Sequence, residues 1–419
     1  MTQSRGIGAR LSVMMFLQFF IWGCWFVTLG TFLGANFQAS GAQTGLAFST
    51  QSWGAIIAPF IIGLIADRYF NAERILAALH LVGALLMYQM YRAQDFGQFY
   101  PYVLAYMIAY MPTLALVNSI SFRQLTDPSR QFSFVRVWGT VGWIVAGLVI
   151  SFVFHWDSQE AVAGGALRNT FLMGAVMSAL LAVFSLTLPA TPPTEIKGAF
   201  SLRAALGLDA LKLLRDRNFA VFFVSSILIC IPLAFYYQNA SPFLTEIGTA
   251  NATGKLTIGQ MSEVAFMLLL PVFLLRFGIK KTLLLAMLAW AVRYLLFAYG
   301  GQENIPALLI AGIALHGICY DFFFVSGQIY TDSKAGEHYR SAAQGMITLA
   351  TYGVGMLVGF SFAGKIADRF NVNGQHDWFQ IWVYPAGIAA VILVLFAVLY
   401  RNEAITYQRT DLDSRRPSG

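Results

Sequence analysis

Long apolar runs separated by short polar breaks recur from one end of the chain to the other. Most runs contain about twenty residues, which as a helix is enough to cross a hydrocarbon core of about 30 Å. The first run is too long for a signal peptide and lacks a small-residue cleavage site, so we expect it to be a membrane helix. The pattern predicts twelve spans, at residues 11–34, 45–66, 73–91, 100–122, 135–154, 169–189, 218–245, 258–276, 281–299, 305–331, 341–364 and 378–400.

The longest polar break, residues 191–217, divides these runs six and six. Its second part, LRAALGLDALKLLRD, has the apolar spacing of a short amphipathic helix that lies on a membrane surface. The halves echo each other weakly, which is typical of a transporter with two similar bundles and a solute site between them. We therefore expect a six-helix bundle at 1–190, a cytoplasmic linker at 191–217 with that short helix, a second six-helix bundle at 218–402 and a cytoplasmic tail at 403–419.

The composition indicates an all-α integral membrane protein. The chain is 58% hydrophobic and 11% charged, with a mean hydropathy of +0.63, whereas a soluble domain carries roughly 25% charged residues. The net charge of +7 comes from basic residues concentrated at the two ends and in alternate loops. The opposite loops hold only Arg92, Arg168, Lys255, Lys365 and Arg369. This bias predicts that both termini are cytoplasmic, and it gives no reason to expect a nucleic-acid partner.

Two carboxylates lie deep inside apolar spans, Glu263 within GQMSEVAFMLLLPVFLL and Asp321 within ALHGICYDFFFVSGQIY. A carboxylate near the middle of a bilayer costs several kcal/mol unless it is paired, solvated or protonated. The alternative is a buried acid that a neighbouring group satisfies for packing alone. We interpret the pair as groups that carry protons or hold a polar solute.

Other kinds of chemistry find little support in the chain. It has no G-x-x-x-x-G-K-[ST] loop, which argues against ATP-driven transport by this chain alone. Its histidines are scattered, and its three cysteines lie in three different spans without metal-ligand or disulfide spacing. No nucleophile–base pair stands out. We expect no enzymatic activity, no metal and no cofactor, with a proton gradient as the energy source.

The loop between the second and third spans, GLIADRYFNAER at 63–74, resembles the G-x-L-a-D-r signature of the major facilitator superfamily. A glycine there allows close helix contact, and the acid and arginines can form a latch whose release permits rocking. The alternative is an ordinary charged turn. A similar GKIADR at 364–369 falls on the opposite side, and we interpret it as coincidental. The expected gating residues are Gly63, Asp67, Arg68 and Arg74.

Six stretches together resemble the nucleoside:H+ symporter family of that superfamily, over about residues 10–400. They are FLQFFIWGCWFVTLGTFL, AYMPTLALVNSISF, RVWGTVGWIVAG, LAFYYQNASPFLTEIG, GQMSEVAFMLLLPVFLLRFGIKK and HGICYDFFFVSG. The resemblance implies a major facilitator fold and proton-driven uptake of nucleosides across a bacterial inner membrane. The residues alone indicate only a proton-coupled carrier of a small polar solute.

The fifth span offers three candidate ligands. Arg136 opens the span, Thr140 lies four residues on and Trp143 seven, so they lie near one helical face. The resemblance places Arg136 in the solute cavity, where a guanidinium donates to hydroxyls or holds a carboxylate; on sequence alone it could equally snorkel to the interface. The indole of Trp143 could stack on a nucleobase or pack against lipid.

Further candidates come from three later spans. Gln260 and Glu263 are spaced i, i+3 and share a face, so an amide and a carboxylate could bind vicinal ribose hydroxyls together. Asp321 could do the same or exchange a proton, and at most one of its neighbours Tyr320 and Phe322 should share its cavity, because adjacent residues point about 100° apart on a helix.

The seventh span carries Tyr237, Gln238 and Asn239. Some members of the family have an amide pair about one turn earlier, so the displacement leaves the choice between purine and pyrimidine open. Trp22 lies on a helix that lines the cavity in this fold. Arg293, in the ninth span, has no assignable partner, and we interpret it as a structural ion pair or a snorkelling side chain.

These observations predict a proton-coupled nucleoside importer that works by alternating access around one central site. Its partners would be a nucleoside, protons and the lipid bilayer, and we expect a monomer. The nearest rival is a symporter of the same fold for another hydroxylated solute, such as a sugar or a modified nucleoside. A second rival is a membrane-embedded enzyme or sensor.

Overall fold

The computed structural model describes residues 2–61, 70–126, 128–193 and 208–403. The chain is helical apart from a small antiparallel hairpin, in which strand β1 (Asn371–Val372) pairs with strand β2 (Gln375–His376). In chain order the helices are α1 (Thr2–Phe26), α2 (Leu29–Phe37), α3 (Gly41–Ile61), α4 (Ala72–Arg92), α5 (Phe96–Gln124), α6 (Pro128–Leu148), α7 (Gln159–Ala163), α8 (Asn169–Ser185), α9 (Arg217–Glu246), α10 (Ala252–Gln302), α11 (Pro306–Ala314), α12 (His316–Tyr320), α13 (Ser326–Thr348), α14 (Met356–Arg369) and α15 (Trp378–Leu399).

Wider π-helical turns continue three of these helices, and such turns are often found at functional sites. They span Val149–Val153, Asp321–Val325 and Leu349–Gly355. Short 3-10 helices occupy Ala166–Arg168 and Leu208–Arg215. The second of these lies in the polar break where the sequence predicts an amphipathic helix; residues 194–207 of that break lie outside the described ranges.

Within those ranges, ten helices are long and apolar enough to cross a membrane, judged by length and composition. The sequence predicts twelve, and two features account for the difference. Helix α10 runs through 51 residues and covers two predicted spans, with a change of direction at Gly278, where φ is 73°. Helix α3 is not among the ten, because the polar run from Ser49 to Ser52 interrupts its apolar residues.

The helices before the polar break pack mainly on one another, as do those after it. Helix α1 lies along α6 and α8, and α4 packs between α5 and α8; later in the chain α9 lies against α14 and α15, and α10 against α15. The α1–α6 contact needs a glycine at Gly142, because a Cβ there would meet the carbonyl oxygen of Phe16. The two groups of helices also touch each other, chiefly through α3 with α14, α2 with α9, and α6 with α10.

The gating residues expected between the second and third spans fall largely outside the structure. Gly63, Asp67 and Arg68 lie outside the described residues. Arg74 lies in the first turn of α4 and is exposed. The latch proposed for this loop therefore stays a prediction.

The last described residues are bound to the second group of helices by a charged cluster. Lys334 Nζ lies 2.7 Å from Glu403 Oε2 and 3.0 Å from Asp216 Oδ2. The hydroxyls of Tyr330 and Tyr400 both donate to Glu403 Oε1, at 2.5 and 2.8 Å. Burial acts to raise the pKa of Glu403, but the hydrogen bonds from Lys334 and the two tyrosines outweigh it and hold that pKa below its ordinary value of 4.5.

This cluster should make stability depend on pH through Glu403. Because the folded-state pKa is lowered, the contribution is complete above pH 4.5 and is lost as the pH falls through the folded value. We expect Glu403→Gln to lower the melting temperature of the purified protein at pH 7, with a difference from the parent that shrinks on acidification. Glu303→Gln, at an exposed carboxylate, is the control. A difference that stays constant with pH would contradict this account.

Candidate functional site

A cavity lies where the two groups of helices meet. It has about 130 Å³ of enclosed room and widens into open solvent. Helices α1, α3, α6, α9, α10 and α12 and the π turn at Leu349–Gly355 supply its walls. The lining residues are Phe19, Trp22, Phe26, Gln51, Arg136, Gly139, Thr140, Trp143, Tyr237, Gln260, Glu263, His316, Tyr320 and Tyr352.

Most of the residues singled out from the sequence as solute ligands lie in this lining. They are Arg136, Thr140, Trp143, Tyr237, Gln260, Glu263 and Tyr320. Gln238, Asn239 and Asp321 do not lie there. The structure therefore brings together side chains from α6, α9, α10 and α12, whereas what each one binds stays a prediction.

An aromatic wall forms one side of the cavity. The rings of Trp22 and Trp143 meet edge to face, with centroids 5.5 Å apart. The ring centroids of Phe26 and Tyr237 lie 5.8 Å apart, and this contact joins the two groups of helices. Trp143 is half-buried and borders the cavity. The wall thus presents flat apolar faces to whatever occupies the cavity.

Arg136 supplies positive charge to the cavity. Its guanidinium carbon lies 4.1 Å from the centroid of the Phe19 ring, in the geometry of a cation–π contact. The side chain lines the cavity, as the family resemblance implies. Its donors can therefore reach hydroxyl or carboxylate oxygens of a bound molecule.

A chain of three polar side chains runs from the cavity lining into the protein. Oε1 of Glu263 lies 2.8 Å from Nε2 of His316, and Nδ1 of the same ring lies 2.8 Å from Nη1 of Arg293. Arg293 is fully buried, with its guanidinium 3.6 Å from the centroid of Tyr236. The expectation that Arg293 snorkels is therefore wrong, because its charge is held inside the protein.

Close packing of α12 on α10 keeps this chain of side chains together. The N–H of Gly317 donates to Ser262 Oγ at 3.0 Å. A Cβ at Gly317 would lie 2.7 Å from the backbone nitrogen of Glu263, closer than any side chain tolerates. Gly317 thus sets the separation at which His316 reaches Glu263.

Asp321 lies behind the cavity wall. It opens the π turn Asp321–Val325 and has no exposed surface. Neither of its carboxylate oxygens has a hydrogen-bond partner among the described residues. The neighbouring Tyr320 faces the cavity, and its hydroxyl lies 2.5 Å from that of Tyr352. Phe322, on the other side, packs against Phe266 and Phe273, so only one flanking aromatic lines the cavity.

The amide residues of the seventh predicted span occupy a helix contact. Gln238 is buried, and its Nε2 donates to the carbonyl of Gly41 in α3 at 3.3 Å. Asn239 is also buried. Their neighbour Tyr237 is the residue of this group that reaches the cavity.

Sequence reasoning missed several residues of the site. His316 and Arg293 are ionisable groups inside predicted spans, and the rule that flagged the two carboxylates also applies to them. Gln51 and Tyr352 carry no comparable signal, because polar residues of these types are common in membrane helices. Among the described residues, no group of three His, Cys, Asp or Glu side chains is placed to hold a metal ion.

An all-α bundle with a polar and aromatic cavity between two groups of helices is the architecture of a solute carrier. The chain belongs to the nucleoside H+ symporter family, whose sequence signature matches residues 5–404. The resemblance inferred from the six sequence stretches is thereby confirmed, and the protein is a multi-pass membrane transporter.

Individual relatives match along almost the whole chain. It is 44% identical to the "Putative nucleoside transporter YegT" of Escherichia coli strain K12, over 97% of each chain. It is 36% identical to the xanthosine permease of the same organism, over 93% of this chain and 95% of that protein. The crystal structure of the nucleoside transporter NupG superposes with a TM-score of 0.84 at 30% identity, over 95% of this chain and all of that one.

Proposed function

We propose that this protein imports nucleosides together with protons across a bacterial inner membrane, by alternating access around the central cavity. The observation that carries the proposal is the cavity itself, where Glu263, Gln260, Arg136 and Trp143 converge from helices of both groups. Hydroxyl acceptors, a cation and flat aromatic faces in one place suit a molecule with a polar sugar and a planar base.

The proposal includes twelve spans in two six-helix halves. The 51 residues of α10 would extend roughly 75 Å as one straight helix, more than twice the hydrocarbon thickness of about 30 Å, but the backbone is not helical at Gly278, where φ is 73° and ψ is 173°. Helix α10 therefore supplies two spans, separated by the bend at Gly278. Helix α3 has 21 residues and is long enough to cross despite its polar run, because that run faces other helices: Thr50, Gln51 and Ser52 are buried.

Within the cavity, Glu263 and Gln260 would bind the ribose hydroxyls, and Trp143 would stack on the base. Arg136 would donate to the sugar or to the base carbonyls. A carboxylate, an amide and an aromatic face also suit a glycoside, so another hydroxylated solute is the second candidate. The relatives that are named for nucleosides and for xanthosine favour the nucleoside.

Two carboxylates close one end of the cavity by capping helices of the opposite group. Asp368 Oδ1 and Oδ2 accept from the N–H groups of Gly41 and Ala42, at 2.5 and 2.8 Å. Reciprocally, Asp157 Oδ2 accepts from the N–H of Thr253 at the start of α10, at 2.9 Å. Asp368 belongs to the GKIADR stretch that we interpreted as coincidental, and its contact gives that stretch a structural role. If the termini are cytoplasmic, the capped end faces outward.

Removing the two caps should favour the state in which this end is open. Replacing a capping side chain by alanine costs about 0.5–2 kcal/mol, so Asp157→Ala with Asp368→Ala shifts the equilibrium between the two states by up to the sum of two such terms. We expect a cysteine placed at Ala240, which is buried near this end, to react several-fold faster with an impermeant maleimide in the double variant.

Asp377→Ala is the matched control for this shift. Its side chain caps α15 within a single group of helices, accepting from the N–H of Gln380 at 3.1 Å, so it should leave the labelling rate unchanged. Equal labelling rates in the parent, the control and the double variant would exclude a latch role for Asp157 and Asp368.

The proposed orientation is tested by labelling from outside the cell. Cysteines at residues 194 and 418 should be inaccessible to an impermeant reagent in intact cells, because the bias of basic residues places the linker and both termini in the cytoplasm. A cysteine at the exposed Glu160, near the capped end, should react. Labelling of residue 194 or 418 in intact cells would contradict the proposed orientation.

Uptake of labelled uridine, adenosine and a glucoside into cells tests the function as a whole. We expect saturable accumulation of one or both nucleosides that collapses when a protonophore is added. Accumulation of the glucoside alone would favour the second candidate. Formation of a chemically altered product without accumulation would indicate an enzyme.

A further inference from the structure

The hydrogen-bond chain Arg293–His316–Glu263 fixes which ring nitrogen of His316 carries the hydrogen. An arginine side chain has donors and no acceptor, so Nδ1 of His316 must accept from Arg293 Nη1, at 2.8 Å. The neutral ring then carries its hydrogen on Nε2 and donates it to Glu263 Oε1, at 2.8 Å. Oε1 of Glu263 is therefore the acceptor in this contact.

We propose that Arg293 and His316 are positioning residues that hold Glu263 in place as a hydrogen-bond acceptor for the ribose hydroxyls of the solute. The proposal rests on the proposed function and adds the residues that orient its ribose ligand. Glu263 lines the cavity with 18% of its side chain exposed. With Oε1 bound to His316, the other oxygen remains for a hydroxyl donor. A sugar that lacks its vicinal hydroxyls would leave that acceptor unsatisfied.

Arg293 contacts the lining of the cavity through its hydrogen bond to His316. The guanidinium has no exposed surface, and among the described residues no carboxylate lies within 4.0 Å of it. It is held over Tyr236, with the rings of Trp290 and Phe297 at 5.8 and 5.5 Å. The hydrogen bond to the His316 imidazole therefore links the buried guanidinium to the cavity lining.

His316 is equally fixed. Its ring stacks on Tyr236 with centroids 5.0 Å apart, and the contact of Gly317 with Ser262 holds the start of α12 against α10. A ligand held by partners of this kind keeps one orientation, as it does in metal and catalytic sites. The expected result is selectivity for a solute with hydroxyls at this position.

The experiment compares binding of uridine and 2′,3′-dideoxyuridine to the purified full-length protein. In the parent, loss of the hydroxyls should weaken binding roughly tenfold or more, because a largely buried acceptor would be left unsatisfied. His316→Phe keeps the stacking but removes both hydrogen bonds, so the ratio of the two affinities should fall toward one. His316→Gln should retain the ratio, since its amide accepts from Arg293 and donates to Glu263 as the imidazole does.

Removal of His316 alone leaves a buried unpaired cation and could unfold the protein. The double variant Arg293→Met, His316→Phe removes the cation as well, and it should show the same low ratio as His316→Phe, because the arginine acts through the histidine. His80→Phe is the control. His80 is a buried histidine outside the cavity, bonded to Gln18 at 2.8 Å and to Ser178 at 3.1 Å. It should leave the ratio unchanged.

The outcomes separate this inference from the proposed function. If the parent binds neither nucleoside, the proposed function fails. If the parent prefers uridine and the folded double variant keeps that preference, Arg293 and His316 do not position Glu263. His316→Gln could also lose the preference for uridine as fully as His316→Phe does. In that case, the two hydrogen bonds of the imidazole are not what positions Glu263.

Discussion

Asp321→Asn should yield a protein that binds nucleoside and exchanges it across a membrane but does not accumulate it against a gradient. The carboxylate is fully buried and has no hydrogen-bond partner among the described residues. Such a group is least costly when it carries a proton, and it must be solvated to release that proton. Asparagine has the shape of the protonated side chain but cannot exchange a proton, so binding survives and coupling is lost.

Two assays on reconstituted protein separate these steps. Counterflow without a pH gradient measures exchange, and uptake with an imposed gradient measures coupling. Glu263→Gln is the matched comparison, because Glu263 faces the cavity and His316. It should weaken binding while any residual uptake stays dependent on the gradient. Gradient-driven accumulation by Asp321→Asn would show that another group carries the proton, with Glu263 the next candidate.

Trp143→Leu should weaken nucleoside binding by about 1–3 kcal/mol, which is roughly 5- to 150-fold. The indole borders the cavity and meets Trp22 edge to face at 5.5 Å. Leucine keeps apolar area but has no flat face on which a base can stack. Trp143→Phe retains an aromatic face and should be tolerated better.

Direct binding to the purified protein is the appropriate measurement for Trp143, because transport rates also depend on the conformational step. The melting temperatures of both variants show whether the protein stays folded when the edge-to-face contact with Trp22 is removed. Equal nucleoside affinity in the parent, Trp143→Leu and Trp143→Phe would exclude stacking on this residue.

The local features of the chain could be predicted from sequence because they depend on periodicity alone. Apolar runs place the spans, and the spacing of Gln260 and Glu263 places both on one face. Ten helices of the described residues qualify as spans, against twelve predicted: α3 does not qualify, and α10 covers two of the predicted spans, which meet at Gly278. Both segments are helical, as predicted, so the difference lies in the count of spans.

The rotation of each helix about its axis could not be predicted. In the seventh predicted span, Tyr237 faces the cavity, and each following residue turns about 100° further away. Gln238 consequently bonds to α3 instead. Likewise, the contact of His316 with both Glu263 and Arg293 joins residues more than twenty positions apart, and nothing in the local pattern specifies such a contact.

The same limit explains the second GKIADR stretch. Its position in the sequence differs from that of the gating loop, so sequence comparison gave it no role. In the folded chain Asp368 reaches the first turn of α3, where free backbone N–H groups attract a carboxylate. A contact between the two groups of helices depends on how the groups pack together, which the sequence of a single span does not predict.

Accumulation of labelled uridine by proteoliposomes that contain only this protein is the most direct test of the central claim. With the lumen more alkaline than the bath, we expect uridine to rise inside above its external concentration, and to fall back when a protonophore removes the gradient. Uptake that only equilibrates uridine, with or without the gradient, would contradict proton-coupled import.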